Sequence, residues 1–233
     1  MAKYNIIRAS CRGPAVDHIY QDYLKVVDND LCLMAVVADG LGSARLSSRG
    51  SEMICQILSE IAETINWEIY RLPEVLNTAI SEWYRRVEIK ELISKECATT
   101  CSAVFIDKHK QIAYLCQIGD SPIFYRKDSG IVHSITQEKE FLNETICIGS
   151  TNRPHFDIQI VQFLKTFEFL VSSDGFGDEV VMDTVGGLFD YFIHKYNKIK
   201  PAKRDRTLKI EILNTVQKKN NDDKSIVFGW ICQ

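Results

Sequence analysis

Leu31-Cys32-Leu33-Met34-Ala35-Val36-Val37-Ala38-Asp39-Gly40 is an almost continuous apolar run stopped by a turn pair. A strand exposed on one face alternates apolar and polar residues, whereas a strand covered on both faces reads as an unbroken apolar stretch. This run therefore predicts a strand buried on both sides and ending at Asp39. Upstream, Tyr20 to Val27 is β-rich, and the polar turn Asp28-Asn29-Asp30 joins it to the run as a hairpin. Tyr4 to Ser10 predicts a further strand.

After Gly40 the period changes. Met53, Ile54, Ile57, Leu58, Ile61 and Ile65 recur at three- and four-residue spacing, the mark of one face of an amphipathic helix. Pro73 sits where a first helical turn tolerates it, and Val75, Leu76, Ala79, Ile80, Trp83 and Val87 continue a second helix. Strands return at Thr99 to Ile106, Gln111 to Ile118, Pro122 to Arg126 and Ile131 to Ile135, and their short connections predict an antiparallel meander. Residues 136–154 have no clear period and read as a loop, the candidate flap and seat of substrate choice. Phe156 to Gln162 and Thr166 to Ser172 predict two more strands, Val185 to Tyr196 and Thr207 to Val216 two helices, and Ser225 to Ile231 a last strand. This order argues for an α+β fold with helices packed outside antiparallel sheets. Residues 1–233 are expected to form one domain, since length suffices for one core and no linker interrupts it.

The composition, 45% hydrophobic and 25% charged, is that of a globular chain. A net charge of -3 with scattered basic residues argues against a nucleic-acid partner, and the Lys198 to Arg206 run reads as a solvated helix connection. No stretch approaches the ~20 apolar residues of a membrane span, and no signal peptide is evident, so the expected location is the cytoplasm. The cysteines are dispersed, most of them in apolar runs, and are expected to be buried free thiols.

Four aspartates share a position in this pattern. Asp39, Asp120 and Asp174 follow apolar strands beside glycine, and Asp222 precedes the last strand. Any one of them is ordinary turn chemistry. Together they place four carboxylates at strand ends, where residues distant in sequence can converge. Converging carboxylates repel unless cations neutralise them, and an oxygen-only set favours magnesium or manganese over zinc.

At these residues the sequence resembles the metal-dependent type 2C serine/threonine protein phosphatases, in particular their short bacterial branch. Six segments occur in the family's order: Gln21-Asp22; Val37 to Ser43 around Asp39-Gly40; Ala98-Thr99-Thr100; Gly119-Asp120-Ser121 with Phe124-Tyr125; Ser172 to Gly175 with Asp178; and Asp222 to Ser225. Phe141 to Thr145 is also similar to a segment of the bacterial branch. The resemblance implies a four-layer α/β/β/α sandwich of two antiparallel sheets flanked by helices. It implies two or three Mn2+ or Mg2+ ions. Asp39 would bridge two ions, the Gly40 carbonyl would bind one of them, and Asp174 and Asp222 would complete the first ion's protein ligands. Asp22 would stand at the second ion's edge, and Asp120 with Asp174 would hold the third. The implied chemistry is attack of an ion-activated water on a phosphomonoester, with a phosphorylated protein as substrate and a serine/threonine kinase in opposition. The alternative from a different class is a phosphatase-fold binding or sensor module with little or no activity.

The pattern departs from the family in three places. Leu41 stands where animal members have a histidine, which leaves His18 as the candidate proton donor. Asp17 stands near the place of the phosphate-binding arginine, with Arg12 the first replacement and Arg45 or Arg49 behind it. Gln21 stands where many relatives have Glu. Cys147 and Arg153 have the spacing of a cysteine-phosphatase loop, but that device needs a following helix N-terminus, and Phe156 to Gln162 reads as a strand.

Overall fold

The computed structural model describes residues 2–14, 19–67, 71–135, 145–150, 154–216 and 220–232. In chain order the elements are β1 (Lys3–Cys11), β2 (Tyr23–Asp28), β3 (Cys32–Ala38), α1 (Ser47–Thr64), α2 (Leu72–Ile89), β4 (Cys101–Asp107), β5 (Ile112–Ile118), β6 (Ile123–Lys127), β7 (His133–Ile135), β8 (Asp157–Gln162), β9 (Thr166–Ser172), α3 (Asp174–Gly177), α4 (Met182–Asn197), α5 (Pro201–Asn214) and β10 (Lys224–Cys232). They build two five-stranded sheets, ordered β1-β10-β9-β6-β7 and β2-β3-β4-β5-β8, with every pairing antiparallel.

The apolar run predicted to be covered on both faces is β3, and all seven of its residues are buried. Side chains alternate across a strand. Leu33, Ala35 and Val37 accordingly enter the core between the sheets, with Val104, Val171 and Val227. Met34, Val36 and Ala38 face the other way and pack on Ile54 and Leu58 of α1 and Leu76 and Trp83 of α2. On the second sheet Leu170, Phe228 and Trp230 pack outward against Phe189, Phe192 and Leu208 of α4 and α5. Three apolar layers thus hold four structural layers together, each fully buried large side chain contributing about 1.5–3 kcal/mol of transfer free energy.

Two expectations from the sequence are corrected. The predicted meander is broken, because β4 and β5 lie in one sheet and β6 and β7 in the other. A short connection fits a hairpin or a step between stacked sheets equally well, and the local chemistry selects the step. Gly119 takes φ +99, where a Cβ would lie 2.6 Å from the Thr100 side chain. The Ser121 carbonyl accepts from Ser102 Oγ at 2.5 Å and Gln117 Nε2 at 2.7 Å, so it needs no ladder partner.

Residues 145–150 of the expected flap are irregular and tied to the body of the protein: Thr99 and Ile148 exchange both backbone hydrogen bonds, at 3.1 and 2.9 Å, and Cys147 and Ile148 are wholly buried. Residues 136–144 and 151–153 of the candidate flap, with Arg153, lie outside the described residues. All eight cysteines are free and seven are buried, but Cys232, expected inside, is exposed on the last strand. No helix among the described residues is long and apolar enough to cross a membrane.

Candidate metal centre

Antiparallel register brings the proposed ligands to one end of the sandwich. In one sheet Tyr23 opposes Ala38 and Cys101 opposes Ile118, so the start of β2 and the ends of β3 and β5 share an edge. Asp22, Asp39 and Asp120 therefore leave the sheet at the same level. In the other sheet Ser172 opposes Ile226 and Cys11 opposes Lys224, which puts Asp174, Asp222 and the end of β1 at that level too. Strand pairing within each sheet, and the packing of the two sheets through their shared core, assemble the cluster from five distant segments.

The electrostatics show how close the carboxylates are. Asp39 is raised well above the usual carboxyl range by burial first and then by Asp22, Asp174 and Asp222. Asp174 is also raised, by burial foremost and then by Asp222, Asp120 and Asp178, while a hydrogen bond shared with Asp39 opposes the rise. Asp22 is 2% exposed and is pushed up to about 7, mainly by burial, with Asp223 adding to the rise and nearby serine hydroxyls opposing it. Neither Asp22 oxygen has a hydrogen-bond partner of ordinary geometry, nor has Asp174 Oδ1. A buried carboxylate oxygen without a donor costs on the order of 1–3 kcal/mol, and a cation is the partner that such groups lack. Among the described residues no three acidic, His or Cys side chains stand already set around one point to hold a metal ion. The residues nonetheless fit divalent cations by donor type, by mutual repulsion and by their unpartnered oxygens.

The backbone around these groups is held tightly. The Thr99 and Thr100 hydroxyls donate to the Asp39 carbonyl at 2.9 and 3.3 Å, and the Thr100 N–H adds a third bond at 2.8 Å. Gly40 lies where a Cβ would meet Ser47 at 2.7 Å and the Gln21 carbonyl at 2.9 Å. Asp223, 2% exposed, accepts from the N–H groups of Gly13 and Gln21, both at 2.7 Å, so one carboxylate ties the chain on either side of residues 14–20. Thr145 Oγ1 donates to Asp120 at 2.8 Å, joining the packed part of the expected flap to the cluster. A cavity of about 380 Å3 opens beside the cluster, lined by Asp174, Gly175, Asp178, Asn220, Asn221 and Asp222. A larger one of about 550 Å3 between α1 and α2 has no link to these carboxylates.

Gly175 is a very close fit beside Asp222. A Cβ there would lie 2.1 Å from the Asp223 carbonyl and 2.9 Å from the Asp222 Cβ. Gly175→Ala is expected to push α3 off the Asp222 turn and lower stability by about 1–3 kcal/mol, the usual cost of overpacking. A thermal melt checks this, and an unchanged midpoint would show that the two backbones do not meet.

Of the residues singled out in the sequence, Asp22, Asp39, Gly40, Asp120, Asp174 and Asp222 are brought to this end of the sandwich. His18 lies outside the described residues. Arg12, Arg45 and Arg49 are exposed. Arg12 precedes Gly13, which the Asp223 carboxylate holds, whereas Arg49 lines a separate cavity with Glu52, Gln56 and Lys90. The Gln21 amide is used internally, donating to Ser47 Oγ at 2.6 Å. Sequence reasoning missed Asn220, Lys224 and the clamp made by Asp223. The one available signal was the unusual Asp222-Asp223-Lys224 run leading into the apolar stretch Ile226 to Ile231.

The sequence model of the family described as Protein phosphatase 2C matches residues 15–212. Comparison with curated proteins gives no match. Among solved structures, the S. agalactiae serine/threonine phosphatase has a TM-score of 0.73 at 18% identity, covering 97% of this chain and 99% of that one. The catalytic domain of the serine threonine protein phosphatase PstP, in complex with 2 manganese ions, has a TM-score of 0.69 at 17% identity and covers 100% of both chains. RsbX in complex with magnesium has 0.61 at 14% identity, covering 99% of this chain and 100% of that one. At such identities the likeness is one of fold.

Proposed function

The chain belongs to the protein phosphatase 2C family, and from that premise we propose that it hydrolyses phosphoserine and phosphothreonine in proteins with bound Mn2+ or Mg2+. The observation that carries this reading is Asp39, whose carboxyl is crowded by Asp22, Asp174 and Asp222 in a cluster with unpartnered oxygens. Asp39, the Gly40 carbonyl, Asp174 and Asp222 would hold the first ions, Asp22 the edge of the second, and Asp120 with Asp174 a third. Two ions are supported by the PstP structure, which contains manganese. Such ions, when bound, neutralise phosphoryl charge and supply an acidified water for in-line attack.

The chain's own groups do the rest. The hydrogen bonds of Thr99 and Thr100 keep the Asp39 backbone from moving as charge changes in the cleft. Arg12, next to the clamped Gly13, is the proposed phosphate-binding residue, since a guanidinium fork suits phosphate oxygens. His18, four residues before Asp22, is the proposed proton donor to the leaving alkoxide. The expected setting is the cytoplasm, with a phosphoprotein as substrate and an opposing kinase.

The test is hydrolysis of a phosphothreonine peptide with and without Mn2+, beside Asp174→Asn. Turnover should require the ion and fall at least ~100-fold in the variant. Robust turnover without metal refutes the reading. The occupied Gln21 amide favours the second reading, a binding or sensor module. Mn2+ binding without turnover under any divalent ion would establish that reading instead.

A further inference from the structure

Lys224 opens β10 two residues after Asp222, and its side chain is wholly buried. An ammonium has three N–H donors and no acceptor, so burial is tolerable only when its donors are used. Among the described residues its hydrogen-bond partners belong to the turn that carries Asp222. Nζ donates to the Asn220 side-chain oxygen, to the Asn220 carbonyl at 3.4 Å and to the Asp222 carbonyl at 3.0 Å. Three protons are thereby spent on two carbonyls and an amide, which leaves none for a carboxylate.

Asn220 is equally committed. Its Oδ1 accepts from Lys224 and from the Asp222 N–H at 3.2 Å. Its Nδ2 donates to the Gly175 carbonyl at 3.0 Å and to Glu179 Oε1 at 3.1 Å. One continuous run of hydrogen bonds therefore joins Lys224 and the Asp222 backbone to the residue that follows Asp174. Those two carboxylates stand on different elements, and this run spans the gap between them.

We propose that Lys224 and Asn220 are positioning residues for the divalent ion, fixing the separation of Asp174 and Asp222 without touching the metal. The inference rests on the reading that these two carboxylates hold the ion. Its sign separates it from a role for Lys224 as mere counter-charge. Removing a nearby positive charge strengthens the binding of a cation, whereas loosening the ligands weakens it.

The experiment is calorimetric titration of Mn2+ into the metal-stripped full chain, comparing the parent with Lys224→Met and Asn220→Ala. Lys224→Met keeps the apolar stem and deletes the donors; Asn220→Ala changes no charge and is the fallback should the first variant not fold. Leu208→Ala, in the α5 layer, controls for lost stability. The Mn2+ dissociation constant is expected to rise about tenfold or more in both positioning variants, in the range usual for groups that orient ligands. It should stay within about twofold in Leu208→Ala. Unchanged or tighter binding in Asn220→Ala, or equal weakening in the control, overturns the inference and leaves the metal reading standing. A parent that binds no Mn2+ overturns both.

Discussion

Asp39→Asn is expected to abolish Mn2+-dependent phosphopeptide hydrolysis while raising the melting temperature of the metal-stripped protein. The two effects share one cause. The Asp39 carboxyl is pushed up by burial and by the charges of Asp22, Asp174 and Asp222, so without cations the fold favours its protonated form. The unfolded chain has no such preference, and each pH unit by which the folded value exceeds the ordinary one costs the fold about 1.4 kcal/mol once the group is ionised in both states. Asparagine has nearly the same shape, can still donate toward Asp174, and does not carry this cost. In a chain of this size each kcal/mol regained moves the midpoint by about 2–4 °C. The same substitution removes the anionic oxygens proposed to bridge two ions, and activity should fall at least ~1000-fold. A variant active within tenfold of the parent, or one melting below it when stripped, would sink the proposal.

The second large effect is a reversal of pH dependence by metal. Asp22 titrates near 7 in the fold, for burial first, and Asp39 and Asp174 are raised as well. An unfolded aspartate titrates near ~3.9, so between these values the folded state binds more protons and stability falls as pH rises. The contribution of Asp22 is fully present below about pH 4 and lost as pH climbs through about 7, and Asp39 and Asp174 act in the same direction. Asp128, held low by the backbone N–H groups of Lys165, Thr166 and Leu164, has the opposite sign and weakens the fold in acid. The stripped protein should consequently melt higher at pH 5 than at pH 8. Mn2+ at a hundred times its dissociation constant should restore about 2.7 kcal/mol at pH 8 and invert that order. Melts in chelator across this range decide the matter: a stripped protein more stable at pH 8 than at pH 5 would mean that the carboxylates are not crowded as described.

Legibility in the sequence followed the range of the interactions involved. The apolar run at 31–38, the three- and four-residue spacing of Met53 to Ile65 and the turn at Asp28-Asn29-Asp30 are local patterns, and each became the element it announced. Gly119 shows the limit. Its position at a strand end was readable, but whether the chain folds back or steps to the other sheet depends on Thr100 and Ser102, at and just inside the start of β4, as well as on Gln117 of its own strand. The same holds for Ile148, whose partner Thr99 is supplied from far along the chain.

For the candidate site the division is sharper. The sequence by itself determined the donor chemistry: aspartates at the ends of apolar strands and an oxygen set suited to hard divalent ions. Only the tertiary structure decided that Asp22, Asp39, Asp120, Asp174 and Asp222 meet at one end of the sandwich, that Asp223 clamps Gly13 and Gln21, and that Lys224 and Asn220 span the gap between the Asp222 turn and the start of α3. The reason is physical. Residue type and periodicity are set within a few positions of the chain, whereas the energy of a charge depends on every other charge and donor that folding brings within several ångströms of it.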